Sequence, residues 1–243
     1  MDFSLTEAQE MLRTSTREFL ETECPKTLVR EMESAKTGHS PQLWRKMAEL
    51  GWMGLLLPEE YGGADFTFQD MAIVLEEMGR ALLPGPYFST VVLCGQAILN
   101  AGTENQRIEF LRKICSGELV MALALTERSA SYHAKDMTVR ANLSGDKYTI
   151  SGTKSFVPDG QHADYFIVVT RTTNSIDPVQ GISLFLVDAH SPGITINPLP
   201  IMGIDKQAQV IFQDVQVATN QLLGLPNYGW PLVEKLMAWG AAG

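Results

Sequence analysis

The chain has 243 residues, 45% of them hydrophobic and 19% charged, with a formal net charge of -9. That length and apolar content suffice for one large or two small packed domains, and they exclude a disordered or fibrous chain. The acidic balance argues against a nucleic-acid partner, whose affinity comes from Lys and Arg at phosphates, and weighs lightly against any other anionic ligand.

The cysteines, Cys24, Cys94 and Cys115, are odd in number and form no Cys-x-x-Cys. They point to neither a disulfide framework nor a zinc site and read as small buried hydrophobes, in keeping with a reducing, cytoplasmic location. Residues 1–4 lack the basic and apolar regions of a signal peptide. No run approaches the ~20 apolar residues that a membrane span needs.

In chain order, the first half is helical. Ser4 to Glu7 has the pattern of a capping box, followed by Leu5, Ala8, Leu12 and Phe19 at helical spacing. Ser40-Pro41 opens a second helix with an apolar stripe of Leu43, Trp44, Met47 and Leu50, and Gly51 closes it. Thr67 caps a third helix carrying Met71, Val74, Leu75 and Met78, on which Glu76-Glu77 reads as a solvated face. Pro84 and Pro86 interrupt the pattern before an apolar stretch over 91–99. Thr103 to Gln106 is another capping box, followed by Ile108, Leu111 and Ile114, and Gly117 ends that helix.

The texture changes near Leu119. Strands are predicted over 119–125, 137–143, 148–151, 165–170, 182–187, 194–196 and 210–212, with a hairpin turn at Ser144-Gly145-Asp146. Many short strands at close spacing suggest a barrel or sandwich. From Gly229 the pattern is helical again, with Leu232, Val233, Leu236 and Met237 on one stripe. The expected fold is α+β and multidomain: an all-α helical domain over 1–118, a small β-barrel or sandwich domain over 119–225, and the start of a further helical domain over 226–243. The last stripe has no following partner, so the chain is expected to self-associate through it.

General motifs return little. There is no Gly-x-Gly-x-x-Gly, P-loop, Gly-x-Ser-x-Gly or His-Glu-x-x-His, and His39, His133, His162 and His190 are scattered without metal-ligand spacing. Less common strings are more informative. Pro58-Glu59-Glu60-Tyr61-Gly62-Gly63 resembles the Pro-Glu-x-Tyr-Gly-Gly turn of acyl-CoA dehydrogenases. Leu5-Thr6-Glu7-Ala8-Gln9 and Leu50-Gly51-Trp52 precede it, and Leu125-Thr126-Glu127 and Gly152-Thr153-Lys154-Ser155-Phe156-Val157 follow. Ala163-Asp164, the run from Phe212 to Val217, and Leu222-Leu223-Gly224 to Gly229-Trp230 complete a set in family order. Isolated turn glycines and core aromatics explain each string singly, but not their shared order.

The resemblance implies FAD-dependent α,β-dehydrogenation of an acyl-CoA thioester. A carboxylate takes the α proton and the β hydrogen leaves as hydride to flavin N5. It implies that Leu123, Ala124, Leu125 and Thr126 lie against the flavin, with Thr126 near its pyrimidine edge. Phe156, Val157 and Pro158 would cover the ring near N5, and Tyr132 would meet both the flavin phosphates and the thioester. It also implies an electron-transfer flavoprotein or similar acceptor and a homo- or hetero-oligomer. No catalytic residue is assigned, because the family's base and C-terminal helical domain lie beyond the given chain. Two departures stand out. Arg128-Ser129-Ala130-Ser131-Tyr132-His133 replaces Pro-Gly-Ala-Gly-Ser-Asp, and Pro158 replaces a residue with a hydroxyl and an N–H. They predict weaker flavin binding or an altered potential. The alternatives are a non-catalytic partner subunit of a mixed dehydrogenase complex, and a generic β-barrel binding module with a helical cap.

Overall fold

The computed structural model describes residues 4–242. Residues 1–3, on which most of the signal-peptide reading rests, lie outside them. The first helix, α1 (Glu7–Glu23), is capped by Thr6, two residues later than expected. Thr6 Oγ1 accepts from Gln9 N at 3.3 Å and Gln9 Oε1 accepts from Thr6 N at 3.1 Å. The chosen register also lets the Gln9 amide donate to Asp70 at 2.9 Å, which ties α1 to α4 (Phe68–Ala81). Between them lie α2 (Lys26–Ser34) and α3 (Pro41–Glu49). Helix α2 was not expected, since its N-cap is Pro25 with no side-chain cap, but Val29 and Met32 bury its inner face.

Glu77 on α4 is not solvated. It is 1% exposed, and its carboxylate accepts from Arg17 Nη2 (2.6 Å), Arg17 Nε (3.0 Å) and Arg80 Nε (2.7 Å). The arginine hydrogen bonds outweigh the effect of burial and hold it at about 2. Its neighbour Glu76 is exposed as expected.

The apolar stretch after Pro86 forms a π-helical segment, Phe88–Gly95, continuing into α5 (Gln96–Ala101). A second run comprises α6 (Glu104–Gln106), a π-helical turn (Arg107–Leu111) and α7 (Arg112–Cys115). Thr90 Oγ1 donates to Met121 O (3.1 Å) and accepts from Met121 N (3.0 Å), so the first π segment is stitched to the opening strand of the sheet.

That sheet contains β1 (Met121–Ala124), β2 (Arg140–Ser144), β3 (Lys147–Pro158), β4 (Tyr165–Arg171), β5 (Ile182–Asp188), β6 (Ile194–Leu199), β7 (Gln207–Ala218) and β8 (Leu222–Leu223). Their order is β6-β7-β3-β2-β4-β5-β8, with β1 added in parallel on β4. The sheet is open, which removes the closed barrel from the expected barrel or sandwich. Its edges are poor ladder partners: β8 is two residues long, and β6 carries Pro198, which has no N–H to donate. The sheet does curl over itself. Tyr148 packs on Phe185 (4.7 Å between ring centroids) and Phe166 on Phe212 (6.3 Å).

Side-chain alternation splits the interior in two. Met121, Leu123, Ile167, Val169, Ile182, Leu184 and Leu186 face the helices, whereas Ala122, Ala124, Phe166, Val168, Phe185 and Val187 fill the curl of the sheet. Both faces are therefore dry at β1, β4 and β5, which explains their unbroken apolar runs. The final helix, α8 (Trp230–Ala242), buries Trp230, Val233 and Leu236 in the helical core of the same chain. Its stripe is thus covered from within, which removes the reason given for self-association.

Two measurements check this packing. A Cβ on Gly63 would lie 1.9 Å from Leu57 O, so Gly63→Ala should cost about 3 kcal/mol in urea denaturation. Glu77 stabilises the fold above its ordinary value of 4.5, and that contribution is lost as pH falls towards about 2. Glu77→Gln should cost about 1–2 kcal/mol at neutral pH and flatten the loss of stability across that acid window.

Candidate functional site

A cavity of about 400 Å³ lies between the first π-helical segment, β1, the end of β3 and α8. Leu93, Leu123, Leu125, Leu236 and Met237 make it largely apolar, and Gly240 and Ala241 keep its α8 side open. Ser89, Thr126 and Tyr132 supply the hydroxyls, and Phe156 and Pro158 form the remaining wall.

The β3 wall is built by a bulge. β3 pairs with β7 up to Lys154, then slips register before Val157. The bypassed Ser155 bonds to the exit of β1 instead: Ser155 N donates to Thr126 O at 2.9 Å and Thr126 Oγ1 donates to Ser155 O. Phe156 adopts φ 55° and is left 47% exposed. A left-handed conformation costs a residue with a Cβ about 1–2 kcal/mol, and bulges that re-aim side chains gather at ligand sites. Here both the strain and the bare aromatic face fall on the cavity wall.

Leu123, Leu125, Thr126, Tyr132, Phe156 and Pro158 are brought together around this space. Ala124 and Val157 are not among its lining side chains. They are 0% and 1% exposed in the core within the sheet, because alternation turns them to the opposite face, so they can meet an occupant only through backbone. Tyr132 stands at the rim, 59% exposed. The loop before it is closed by its own serines. Ser129 Oγ accepts from Ser131 N (3.4 Å), Ser131 Oγ accepts from His133 N (3.2 Å), and Ser131 Oγ donates to Asp136 (2.6 Å). Those backbone donors are thus already engaged.

Ser89, Leu93, Leu236, Met237, Gly240 and Ala241 complete the lining without having been flagged as site residues. Ser89 Oγ donates to Asp159 Oδ2 at 2.5 Å. Burial pushes the Asp159 carboxyl up to about 6, against the pull of the Ser89 hydroxyl and with help from Asp205. Nearby, burial depresses His162 to about 4, assisted by His39 and Lys206, and the two imidazole centroids lie 5.6 Å apart. Among the described residues there is no cluster of side chains that would hold a metal ion, and no helix is long and apolar enough to cross a membrane.

The acyl-CoA dehydrogenase N-terminal domain family matches residues 6–118, and the acyl-CoA dehydrogenase middle domain family matches residues 122–215. The chain belongs to the acyl-CoA dehydrogenase family. A short-chain-specific acyl-CoA dehydrogenase of Clostridium acetobutylicum is 31% identical over all of this chain and 65% of its own length. The crystal structure of an acyl-CoA dehydrogenase from Geobacillus kaustophilus superimposes with a TM-score of 0.89 at 30% identity, covering 99% of this chain and 64% of that one. A chain of the ChsE4–ChsE5 complex from Mycobacterium tuberculosis gives 0.87 at 27% identity, covering 98% and 61%. The chain thus spans less than two thirds of the length of these acyl-CoA dehydrogenase relatives.

Burial gives Asp159 and His162 opposite pH dependences. Asp159 is raised from 3.8, so its contribution to stability is complete below that value and is lost as pH rises through about 6. His162 is lowered from 6.5, so its contribution is complete above that value and is lost as pH falls towards about 4. The two slopes oppose each other in between. In urea midpoints measured across this range, Asp159→Asn should steepen the loss of stability on acidification and His162→Gln should reduce it.

Proposed function

We propose that the cavity takes the ring end of FAD and that the chain forms part of an active site for α,β-dehydrogenation of an acyl-CoA thioester. The observation that carries this is Phe156, held strained and bare on the bulge over an apolar space. The residues fit a flat heteroaromatic ring. Leu123 and Leu125 give apolar contact, and Thr126 has an N–H without an acceptor among the described residues. Phe156 and Pro158 wall the opposite side. The fit is poorer at the phosphates, where Ser129 and Ser131 consume the loop's own donors.

When bound, the flavin would supply the acceptor for the hydrogen leaving the β carbon. The chain's own side chains would exclude water and orient the ring. Ala124 and Val157 would contribute backbone only, and Tyr132 at the rim would face both phosphates and thioester. Among the described residues no carboxylate lines the cavity, and no catalytic base is assigned. The acyl-CoA substrate, an electron-transfer flavoprotein or similar acceptor, an oligomeric assembly and a cytoplasmic location belong to the same proposal, with divisions after residues 118 and 225. The serine-closed loop and Pro158 favour one second reading, that of a partner subunit without its own flavin. The likeness to a chain of a two-component complex supports that alternative.

Titration with FAD, followed by flavin fluorescence and co-elution, separates the two. Binding by the chain, weakened about tenfold by Phe156→Ala, is expected if the cavity holds the ring. A chain that remains colourless at saturating FAD would move the partner-subunit reading to first place.

A further inference from the structure

Behind the cavity wall, an ammonium and a carboxylate meet out of reach of water. Lys154, the last β3 residue before the bulge, is 0% exposed, and Glu127, following Thr126, is 3% exposed. Lys154 Nζ donates to Glu127 Oε1 at 2.8 Å and to Leu125 O at 2.9 Å, with Met137 Sδ at 3.7 Å. Glu127 also accepts from Thr138 N (2.8 Å), Val139 N (3.1 Å) and the Thr138 hydroxyl. Burial alone would raise the Glu127 carboxyl, but Lys154 and the Thr138 and Val139 donors hold it below the usual range. Burial pulls the Lys154 ammonium down, against the opposing carboxylate.

Hydrogen bonding of the local backbone does not by itself require that this pair be charged. Replacing a buried ion pair with apolar side chains of similar volume is commonly neutral or stabilising. Its geometry points to another use. Leu125 O and Thr126 N–H are the two ends of one planar trans peptide and point in opposite directions. The oxygen faces the buried ammonium, so the N–H is directed away from it, in a segment whose side chains line the cavity. The carbonyl and hydroxyl of Thr126 are both committed to Ser155, whereas its N–H has no acceptor among the described residues. An ionic bond to one end of a peptide strengthens the donor at the other end, most of all where the surroundings are dry.

We propose that Lys154, neutralised and held by Glu127, polarises the Leu125–Thr126 peptide and so makes the Thr126 N–H a strengthened donor to an electron-rich carbonyl or ring nitrogen of the cavity's occupant. Lys154 is then a positioning residue that acts through the backbone, and its target on FAD is an acceptor on the ring edge. This use rests on the flavin reading given above.

Lys154→Met alone strands a buried carboxylate, so the test pairs it with the double variant Lys154→Met/Glu127→Gln. Three properties are read: the Thr126 amide proton shift in ligand-free protein, the FAD dissociation constant, and the carbonyl stretching bands of bound FAD. In the double variant, the amide should move upfield in protein that still unfolds in a single cooperative urea transition. FAD should bind about tenfold more weakly, and a flavin carbonyl band should rise in frequency. An unmoved Thr126 amide, or unchanged affinity and carbonyl bands in a folded double variant, overturns the proposal. If the parent protein takes up no FAD, the flavin reading falls instead, and the amide shift alone decides whether the peptide is polarised.

Discussion

Between Leu125 and Arg140 the chain has no strand partner, so its backbone is organised by two buried cations and one buried carboxylate. Glu127 gathers donors from residues 138, 139 and 154, and Lys154 holds the carbonyl of residue 125. Arg171 does the complementary work, donating to the carbonyls of Ala134, Met137, Pro178 and Gln180. Buried backbone groups must be paired, and here charged side chains supply what a ladder supplies elsewhere. The β1 exit, the entry to β2 and the end of β3 are thereby locked to one another.

That lock makes the strain at Phe156 tolerable. A left-handed aromatic residue survives only where its neighbours over-determine its path. Lys154 anchors the chain just before it, the Ser155–Thr126 bonds fix it from the side, and Val157 plugs into the core within the sheet immediately after. The same alternation that sends Val157 inward puts Ala124 inward on the facing strand. The wall therefore has a rigid packed back and a face free to meet a ligand.

Much of the helical half was legible because caps are local chemistry. Ser40, Thr67 and Thr103 cap the helices that their spacing announced. Helix α2 was silent because Pro25 offers no capping side chain. The length of β3 was hidden by Gly152, which looks like a strand end but sits at φ 139° inside a first bulge. Glu77 looked solvated because its first partner, Arg17, is 60 positions away. The β1 and β3 side of the cavity was readable through family resemblance. Period-two alternation already distinguishes Leu123 and Leu125 from Ala124. The other side was not readable, since Ser89, Leu236, Met237 and Gly240 are unremarkable helix positions until tertiary packing turns them inward. The open sheet was also illegible, because strand number and spacing do not state whether edges close.

The cavity borders residues 89 and 93 on one helical segment and 236 to 241 on another. Bringing these together closes a loop of about 150 residues, among the larger entropic costs in assembling this chain. Docking of α8 is therefore a natural late step in folding and a natural early step in local opening, detectable as the pace at which its amides exchange with solvent. Any occupant touching both α8 and the sheet would draw on its binding energy to hold that long loop shut, so occupancy and the cohesion of the whole chain would rise and fall together.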